Sequence, residues 1–444
     1  MDPPATESAV ASQHALGDLS TTMLFRLLPI WLYLIALFIA PQLWVQAVLN
    51  WSVDFFIYPF WMFVLLLRGR IGEFFRLRTP DLFFLAYLLW MIMSWLTNPA
   101  PSYAALIFVN YFKWFVLYRL VVASIDTPAA LRHVGITIIS VAGIVAIEAV
   151  QHLNSVSGIG WAGQSFSWVD PSAEAVGIDA RTRWVGIFDG PGVFCVMFTV
   201  TLPFVLQYFS GAHPFWKRLI AFALLAPLFG YAIYSTGSRG GLLTALAIAG
   251  CWAVSRYRIG LDKLIWMAVG GAAFMVLGPA YLTSVTDSSK SAQHRVDMWF
   301  EGIEMVQQNP LFGIGKGNFA AYTGRLIAHN SGIEIMGELG MPGLFFWVGI
   351  TYFGMRTLVL RYMESQDARE RELLISLGIS VIGYLVSSLF VTLEYETWYF
   401  LLAMTAAVSN WSSTVPTVTR KDLKIVGAIA LGYFALIKAF VMVY

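Results

Sequence analysis

The stretch SVTDSSKSAQHR at residues 284–295 opens a polar interruption in an otherwise apolar chain, and this interruption decides the fold. It continues through NPLFGIGKG at residues 309–317 and closes with HNSGIEIMGELGMPG at residues 329–343. Roughly fifty residues here contain no apolar run of membrane length, whereas such runs flank the stretch on both sides. The pattern therefore predicts a polar lobe, residues 283–331, sitting on a bundle of membrane-spanning helices.

Composition places the whole chain in the membrane class. Hydrophobic residues make up 58% and charged residues 12%, whereas soluble domains carry about 25% charged residues. The 17 tryptophans suit aromatic belts at headgroup depth. We expect an all-α polytopic protein with about twelve or thirteen spans. The predicted domains are a cytoplasmic tail (1–22), a bundle (23–282), the lobe (283–331) and C-terminal transmembrane helices (332–444). The apolar runs lie near 23–41, 48–67, 80–97, 103–123, 134–152, 184–209, 219–236, 240–255, 264–282, 332–355, 373–393, 397–412 and 425–443.

Loops with many basic residues alternate along the chain with loops that have few, and this pattern predicts the orientation of the protein in the membrane. With a cytoplasmic N-terminus, the inner loops carry most of the arginines, as the positive-inside rule requires. The few outer basic residues then need a reason, and they lie in three loops: 153–183, 236–240 and 283–331. The inner set is Arg68, Arg70, Arg76, Arg78, Arg119, Arg132, Lys217, Arg218, Arg256, Arg258, Lys263, Arg356, Arg361, Arg369, Arg371, Arg420, Lys421 and Lys424.

The three outer loops connect neighbouring spans, so Arg183, Arg239 and Arg295 can converge above one cleft, with Arg181 beside them. Convergent guanidiniums bind phosphate esters well, because each fork donates two hydrogen bonds. Plainer roles stay open for each arginine: headgroup contacts, interfacial snorkelling, a turn, or a salt bridge from Arg295 to a nearby aspartate. The remaining outer basic residues are expected to be solvated surface; they are Lys290, Lys316 and Arg325.

His329 is the candidate general base, because a near-neutral imidazole can accept the proton of an attacking hydroxyl. A helical continuation places Asn330, Glu334 and Glu338 along one face. A carboxylate entering the membrane is costly unless it is paired or hydrated, so Glu338 should face a polar cleft. The alternative is a histidine that caps the helix. Helix packing is an adequate reason for the nearby glycines at 332, 337, 340 and 343.

Other chemistries find little support. No outer pair of carboxylates has the spacing of a diphosphate-bound Mg²⁺ clamp, and the histidines are not clustered as zinc ligands are. Nucleotide-binding loops and hydrolase elbows are absent from the sequence. Cys195 and Cys251 lie in apolar runs and are expected to be small buried residues. We expect no metal, no cofactor and no nucleic-acid partner.

Five motifs in this order resemble the O-antigen ligase and polymerase family of bacterial envelope glycosyltransferases: RWVGIF (183–188), TGSRGG (236–241), RVDMW (295–299), NPLFGIG (309–315) and HN (329–330) followed by Glu334 and Glu338. The resemblance covers residues 180–345. It implies a GT-C-like, inner-membrane enzyme that takes glycan from undecaprenyl pyrophosphate at a periplasmic site.

The resemblance also implies that Arg183, Arg295 and His329 carry activity. We expect Arg239, Arg181, Asn330, Glu338 and Trp299 to bind substrate. Many relatives have Asp-Pro-Asn after the first motif, whereas this chain reads Asp189-Gly-Pro-Gly192, so no asparagine role is expected there. Since no carboxylate is evidently placed as a nucleophile, the transfer is expected to proceed by a single inverting displacement.

The acceptor stays open between a lipid-linked repeat, as in a polymerase, lipid A core, as in a ligase, and a protein. A polymerase is slightly favoured, because nothing marks a core or protein acceptor. A transporter is the alternative from another class, supported by Asp54 and Lys113 within predicted spans. A structural scaffold is a weaker alternative, since it would not need arginines in three outer loops.

Overall fold

The structure is a computed structural model that describes residues 21–99, 101–165, 181–257, 285–324 and 327–443. All regular elements in these ranges are helical, which confirms the predicted all-α membrane class. Residues 1–20, the apolar run at 264–282 and Arg325 lie outside the described residues. The helices are α1 (Thr21–Phe38), α2 (Val53–Leu67), α3 (Ile71–Phe75), α4 (Thr79–Thr97), α5 (Ala104–Ser124), α6 (Pro128–Leu153), α7 (Pro191–Leu206), α8 (Phe215–Ser235), α9 (Arg239–Tyr257), α10 (Val285–Gln308), α11 (Phe319–Thr323), α12 (Ser331–Glu364), α13 (Ala368–Ser387), α14 (Glu396–Ala407) and α15 (Arg420–Val443).

Seven of the described helices are long and apolar enough to cross a membrane: α4, α5, α6, α7 (continued to Phe209), α8, α12 and α15. Two further apolar helices, Phe25–Phe38 and Val53–Leu67, are shorter. The runs predicted at 240–255, 373–393 and 397–412 form α9, α13 and α14, which do not meet the same test. α14 has only 12 residues, and α13 begins with the charged sequence ARERE.

Hydrogen bonds and close contacts bring the three predicted loops to one end of the bundle. Thr182 N donates to Ser235 O at 3.0 Å, which joins the α6–α7 connection to the end of α8. The α13–α14 connection then reaches the start of α12, since Ser331 N donates to Ser388 O at 2.9 Å. We call this end, which carries Arg183, Arg239 and His329, the site end.

The opposite end, called here the basic end, holds the predicted inner loops together. Arg78 donates to Ser409 at 2.5 Å, and Arg356 pairs with Asp422 at 2.5 Å. Arg369 donates to Ala212 O at 3.0 Å, so the loop before α8 meets the start of α13. The basic residues named here therefore lie at the end of the bundle that the sequence predicted for them. Which end faces the cytoplasm stays a prediction.

A break at Gly340 divides α12 into Ser331–Leu339 and a longer second segment. Gly340 has φ 68° and ψ −174°, a conformation open essentially only to glycine. Pro342 lacks an N–H, so Glu338 O accepts from Gly315 N at 2.9 Å instead. Met341 N donates to Pro310 O at 2.9 Å, and Ile314 N to Gly337 O at 3.1 Å. The NPLFGIG loop thereby replaces the helical hydrogen bonds lost at the break.

Alanine at position 340 should destabilise the protein markedly. Its Cβ would lie 2.3 Å from Leu311 O and would hold a backbone conformation costing about 1–3 kcal/mol by itself. Thermal unfolding of Gly340→Ala in detergent should therefore begin well below that of the native protein. Gly427→Ala is the matched control, because a Cβ there meets nothing within 4 Å. Equal unfolding temperatures for the two variants would contradict the assigned break.

Candidate active site

Two of the predicted arginine loops meet directly. The hydroxyls of Thr182 and Ser235 lie 2.8 Å apart, and both residues are buried. A Cβ at Gly237, which has φ 58°, would lie 3.1 Å from Cγ of Arg181. The turn before α9 therefore packs on the stem of Arg181, as the predicted convergence requires.

The backbone at Arg183 is fixed by the buried neighbour Trp184, whereas the Arg183 guanidinium makes few contacts. The next residue, Trp184, is 1% exposed and donates its indole N–H to Phe38 O at 2.8 Å. The guanidinium lies 3.4 Å from the exposed carboxylate of Asp189, and its buried Nε has no hydrogen-bond partner. Arg183 thus keeps hydrogen-bonding capacity for an anionic ligand.

The α13–α14 connection joins the arginine loops to the start of α12. A Cβ at Gly240, beside Arg239, would lie 2.7 Å from Phe390, and one at Gly192 would lie 2.9 Å from Val391. On its other side, the connection accepts a hydrogen bond at 3.4 Å from the Asn330 amide to Leu389 O. Arg239 and His329 therefore flank the same few residues at the site end.

His329 is half-buried and has φ 50°, a left-handed conformation that non-glycine residues seldom adopt. Burial, followed by the positive charge of Arg295 and the neighbouring His294, lowers its pKa. The imidazole is therefore neutral at neutral pH and able to accept a proton. The strained backbone fits a functional position, since such strain clusters at active sites.

Arg295, on α10, lies near enough to His329 for its charge to lower the histidine pKa. Its guanidinium is partly buried, and this burial lowers its pKa. It forms no ion pair with a described side chain. Of the two salt bridges considered from the sequence, to Asp287 or to Asp297, the one to Asp297 is therefore not made, and the Asp287 side chain lies outside the described residues. A partly buried cation without a counter-ion favours the arrival of an anion.

Asn330 and Glu338 are occupied by the protein itself, which argues against the substrate contacts expected from sequence. Asn330 is fully buried and caps α12, accepting from Gly332 N at 3.1 Å and Ile333 N at 3.3 Å. Glu338 is 2% exposed, and its Oε1 accepts from Gly317 N at 3.0 Å and Phe319 N at 3.1 Å. Both residues therefore hold the backbone around the site in place.

Trp299 lies at the join between the lobe and the bundle. Its indole N–H donates to Ala328 O at 3.0 Å, one residue before His329, and its ring packs 5.7 Å from that of Phe440. These contacts position the His329 backbone. Whether the exposed part of the ring also binds substrate stays a prediction.

Lys316 is buried, so the expectation of a solvated lysine is wrong. Its ammonium lies 2.8 Å from both the Glu338 and the Glu394 carboxylates. Glu394 also accepts from Tyr87 at 2.5 Å and Tyr399 at 3.0 Å. Burial disfavours the charged lysine, but the two carboxylates outweigh it and raise its pKa well above the ordinary range. We call Lys316, Glu338 and Glu394 the Lys316 cluster.

Glu394 was missed because its partner lies 78 residues away in sequence. The sequence did contain a signal for Glu394, because this acidic residue lies between two closely spaced apolar runs, 373–393 and 397–412. An acidic residue in such a place needs a buried partner. The glycines on both sides of Lys316, with φ of 92° and 89°, show that the loop bends sharply to bring it there.

A cavity of about 160 Å³ lies next to the Arg183 loop. Gly186 and Ile187 close it on one side, and Asp54, Glu396 and Gln42 provide its polar lining. The side-chain oxygen of Gln42 is buried and has no hydrogen-bond partner. Asp54 in turn pairs with Lys113 at 2.6 Å. The cavity can therefore accept hydrogen bonds from a hydroxyl-bearing molecule.

The fold and site define a multi-pass helical membrane protein that carries, at one end, arginines able to bind an anion and a neutral histidine. Residues 220–348 match the family model described as O-antigen ligase, which confirms the resemblance to the O-antigen ligase and polymerase family. This match indicates membrane glycosyltransferase activity of the ligase or polymerase type. The matched range includes Arg239, Arg295 and His329, whereas Arg183 lies before it. A search of curated proteins found no match.

Proposed function

We propose that this protein transfers a glycan from undecaprenyl pyrophosphate to an acceptor hydroxyl on the periplasmic side of the inner membrane. The observation that carries the proposal is Arg295, a partly buried guanidinium without an ion pair among the described residues, beside the neutral imidazole of His329. The orientation rests on the excess of basic residues at the basic end, which the positive-inside rule assigns to the cytoplasm.

The arginines would bind the donor pyrophosphate. Arg183 has a buried Nε without a hydrogen-bond partner, and Arg239 begins α9 at the same end of the bundle. Fixed positive groups around a leaving group stabilise the charge that develops there. Such groups can act without a metal ion, so metal independence is part of the proposal. Arg181 would contact the donor at its exposed side.

In the proposed step, the acceptor oxygen forms a bond to the anomeric carbon of the donor sugar as the bond to the pyrophosphate oxygen breaks. The acceptor proton moves to His329, and the electron pair of the broken bond leaves with undecaprenyl pyrophosphate. A single displacement of this kind inverts the anomeric carbon. The cavity lined by Asp54, Glu396 and Gln42 supports acceptor binding nearby, because sugar hydroxyls suit such acceptors.

We favour a lipid-linked repeat as acceptor, which makes the protein a polysaccharide polymerase; transfer to lipid A core or to a protein is the alternative. The transporter hypothesis loses support, because Asp54 and Lys113 pair with each other. Neither residue then needs a transported ion as its partner. No other described feature favours transport.

The experiment is reconstitution of the purified protein with an undecaprenyl-pyrophosphate-linked repeat as the sole substrate. A polymerase lengthens the glycan and releases undecaprenyl pyrophosphate without a second acceptor. Product that appears only after lipid A core is added would identify a ligase and contradict the favoured acceptor. Absence of transfer to a repeat, to lipid A core and to a protein acceptor would contradict the proposed function.

A further inference from the structure

Three arginines converge on one carboxylate at the basic end, far from the candidate active site. Arg68 lies 3.2 Å from Asp126 and Arg70 lies 3.4 Å from it, and Arg26 pairs with its other oxygen. Arg26 comes from α1, Arg68 and Arg70 follow α2, and Asp126 precedes α6. We call these four residues the Asp126 cluster. Three arginines and one aspartate give the cluster a formal charge of +2.

Among the described residues, no nearby acid corrects this excess. The adjacent carboxylate, Glu73, already lies 3.5 Å from Arg76 and 3.1 Å from Arg78. The four side chains of the Asp126 cluster are only 14–27% exposed, so water screens their repulsion poorly. Burial and the charge of Arg70 accordingly lower the pKa of Arg68 to about 10. A second anion would relieve the repulsion.

The donors needed to bind that anion are present. Nη1 of Arg68 and Nε of Arg70 are buried and have no hydrogen-bond partner. Buried donors without partners are costly, and phosphate oxygens match guanidinium donors in geometry. A phosphate group would therefore supply both the negative charge and the hydrogen-bond acceptors that the cluster lacks.

Exposed apolar residues that adjoin the cluster arginines in sequence indicate where the phosphate comes from. Phe25 precedes Arg26 and is 41% exposed, while Leu66 and Leu67 precede Arg68 and are each 59% exposed. Phe75, in the helix that follows Arg70, is 67% exposed. Exposed apolar side chains around a basic pocket suit the acyl chains attached to a phospholipid headgroup. A free phosphate ion would gain nothing from them.

We propose that the Asp126 cluster binds the phosphodiester headgroup of an anionic phospholipid at the end of the bundle opposite the candidate active site. The single negative charge of the phosphodiester lowers the formal charge of the cluster from +2 to +1, and the lipid ties α1, the α2–α3 connection and the α5–α6 connection together. Basic pockets between transmembrane helices bind anionic headgroups in this way. The proposal does not depend on the proposed enzymatic function.

The test is lipid binding by the full-length protein in detergent, measured by native mass spectrometry and by thermal unfolding. The probes are phosphatidylglycerol, phosphatidylcholine and inorganic phosphate. We expect phosphatidylglycerol to bind and to raise the unfolding temperature more than the other two. The double variant Arg68→Gln and Arg70→Gln should lose about tenfold or more in phosphatidylglycerol affinity. It leaves Arg26 and Asp126 as a one-to-one pair, so its fold should persist.

Two further variants separate binding from structure. Arg76→Gln removes a 71% exposed arginine from the neighbouring α3–α4 connection and should leave the lipid affinity unchanged. Asp126→Asn removes the competing carboxylate and should raise the affinity, an increase that a purely structural role would not produce. Equal binding of phosphatidylglycerol and phosphatidylcholine, tighter binding of inorganic phosphate, or full affinity in the double variant would each overturn the proposal.

Discussion

Replacement of Lys316 by methionine should destabilise the protein by about 3–5 kcal/mol, the usual cost of removing one partner from a buried ion pair. The ammonium is 2.8 Å from each of two buried carboxylates, and neither Glu338 nor Glu394 has another cation within ion-pair distance in the described residues. Loss of the lysine leaves two like charges facing each other with little water to screen them. Unfolding in detergent, followed by circular dichroism, measures the effect.

The companion variants decide whether charge is the cause. Lys316→Met combined with Glu338→Gln and Glu394→Gln removes all three charges and should recover much of the lost stability. Lys424→Met is the matched control, because Lys424 is exposed, and surface substitutions usually change stability by less than about 0.5 kcal/mol. A Lys316→Met protein as stable as this control would show that the Lys316 cluster does not hold the loop before α11 in place.

Substitution of His329 should lower glycan transfer by about 10²–10⁴-fold, the usual contribution of a general base. Asparagine is the informative replacement, because it tolerates the left-handed backbone seen at φ 50° and cannot act as a base. Arg295→Gln should cost about 10²–10³-fold through lost stabilisation of the leaving pyrophosphate. Initial rates of undecaprenyl pyrophosphate release measure both effects.

Controls for these variants come from the basic end. His133→Gln and Arg76→Gln change the same residue types at the other end of the bundle, where His133 lies in the second turn of α6 near Arg132 and Lys217. Both should transfer glycan at the native rate. Native rates in His329→Asn and Arg295→Gln would remove these two residues from the mechanism, whatever the family assignment.

Sequence patterns were sufficient for the helices and for the distribution of charge. Each predicted apolar run within the described residues forms a helix, because a membrane leaves the backbone few other ways to satisfy its hydrogen bonds. The number of long spans was harder to predict. α2 has 15 residues and α14 has 12, so both are shorter than the apolar runs that predicted them. The length of an apolar run does not show how many of its residues are helical.

The candidate site was predicted less completely, for a physical reason. Arg183, Arg239, Arg295 and His329 could be recognised because outer arginines and a histidine at a membrane boundary need an explanation. Lys316 could not, because its partners come from the first part of α12 and from the α13–α14 connection. The capping role of Asn330 likewise depends on a backbone reversal at His329 that no local pattern specifies.

The most direct test of a shared Arg295–His329 site is the pH dependence of transfer in the native protein and in Arg295→Gln. Burial and the positive charge of Arg295 lower the His329 pKa, so the native base stays neutral until the pH falls through that lowered value. Removal of the charge raises this pKa. We predict that the acidic limb of the rate profile moves to higher pH in Arg295→Gln. An unmoved limb, or the same limb persisting in His329→Asn, would contradict the account.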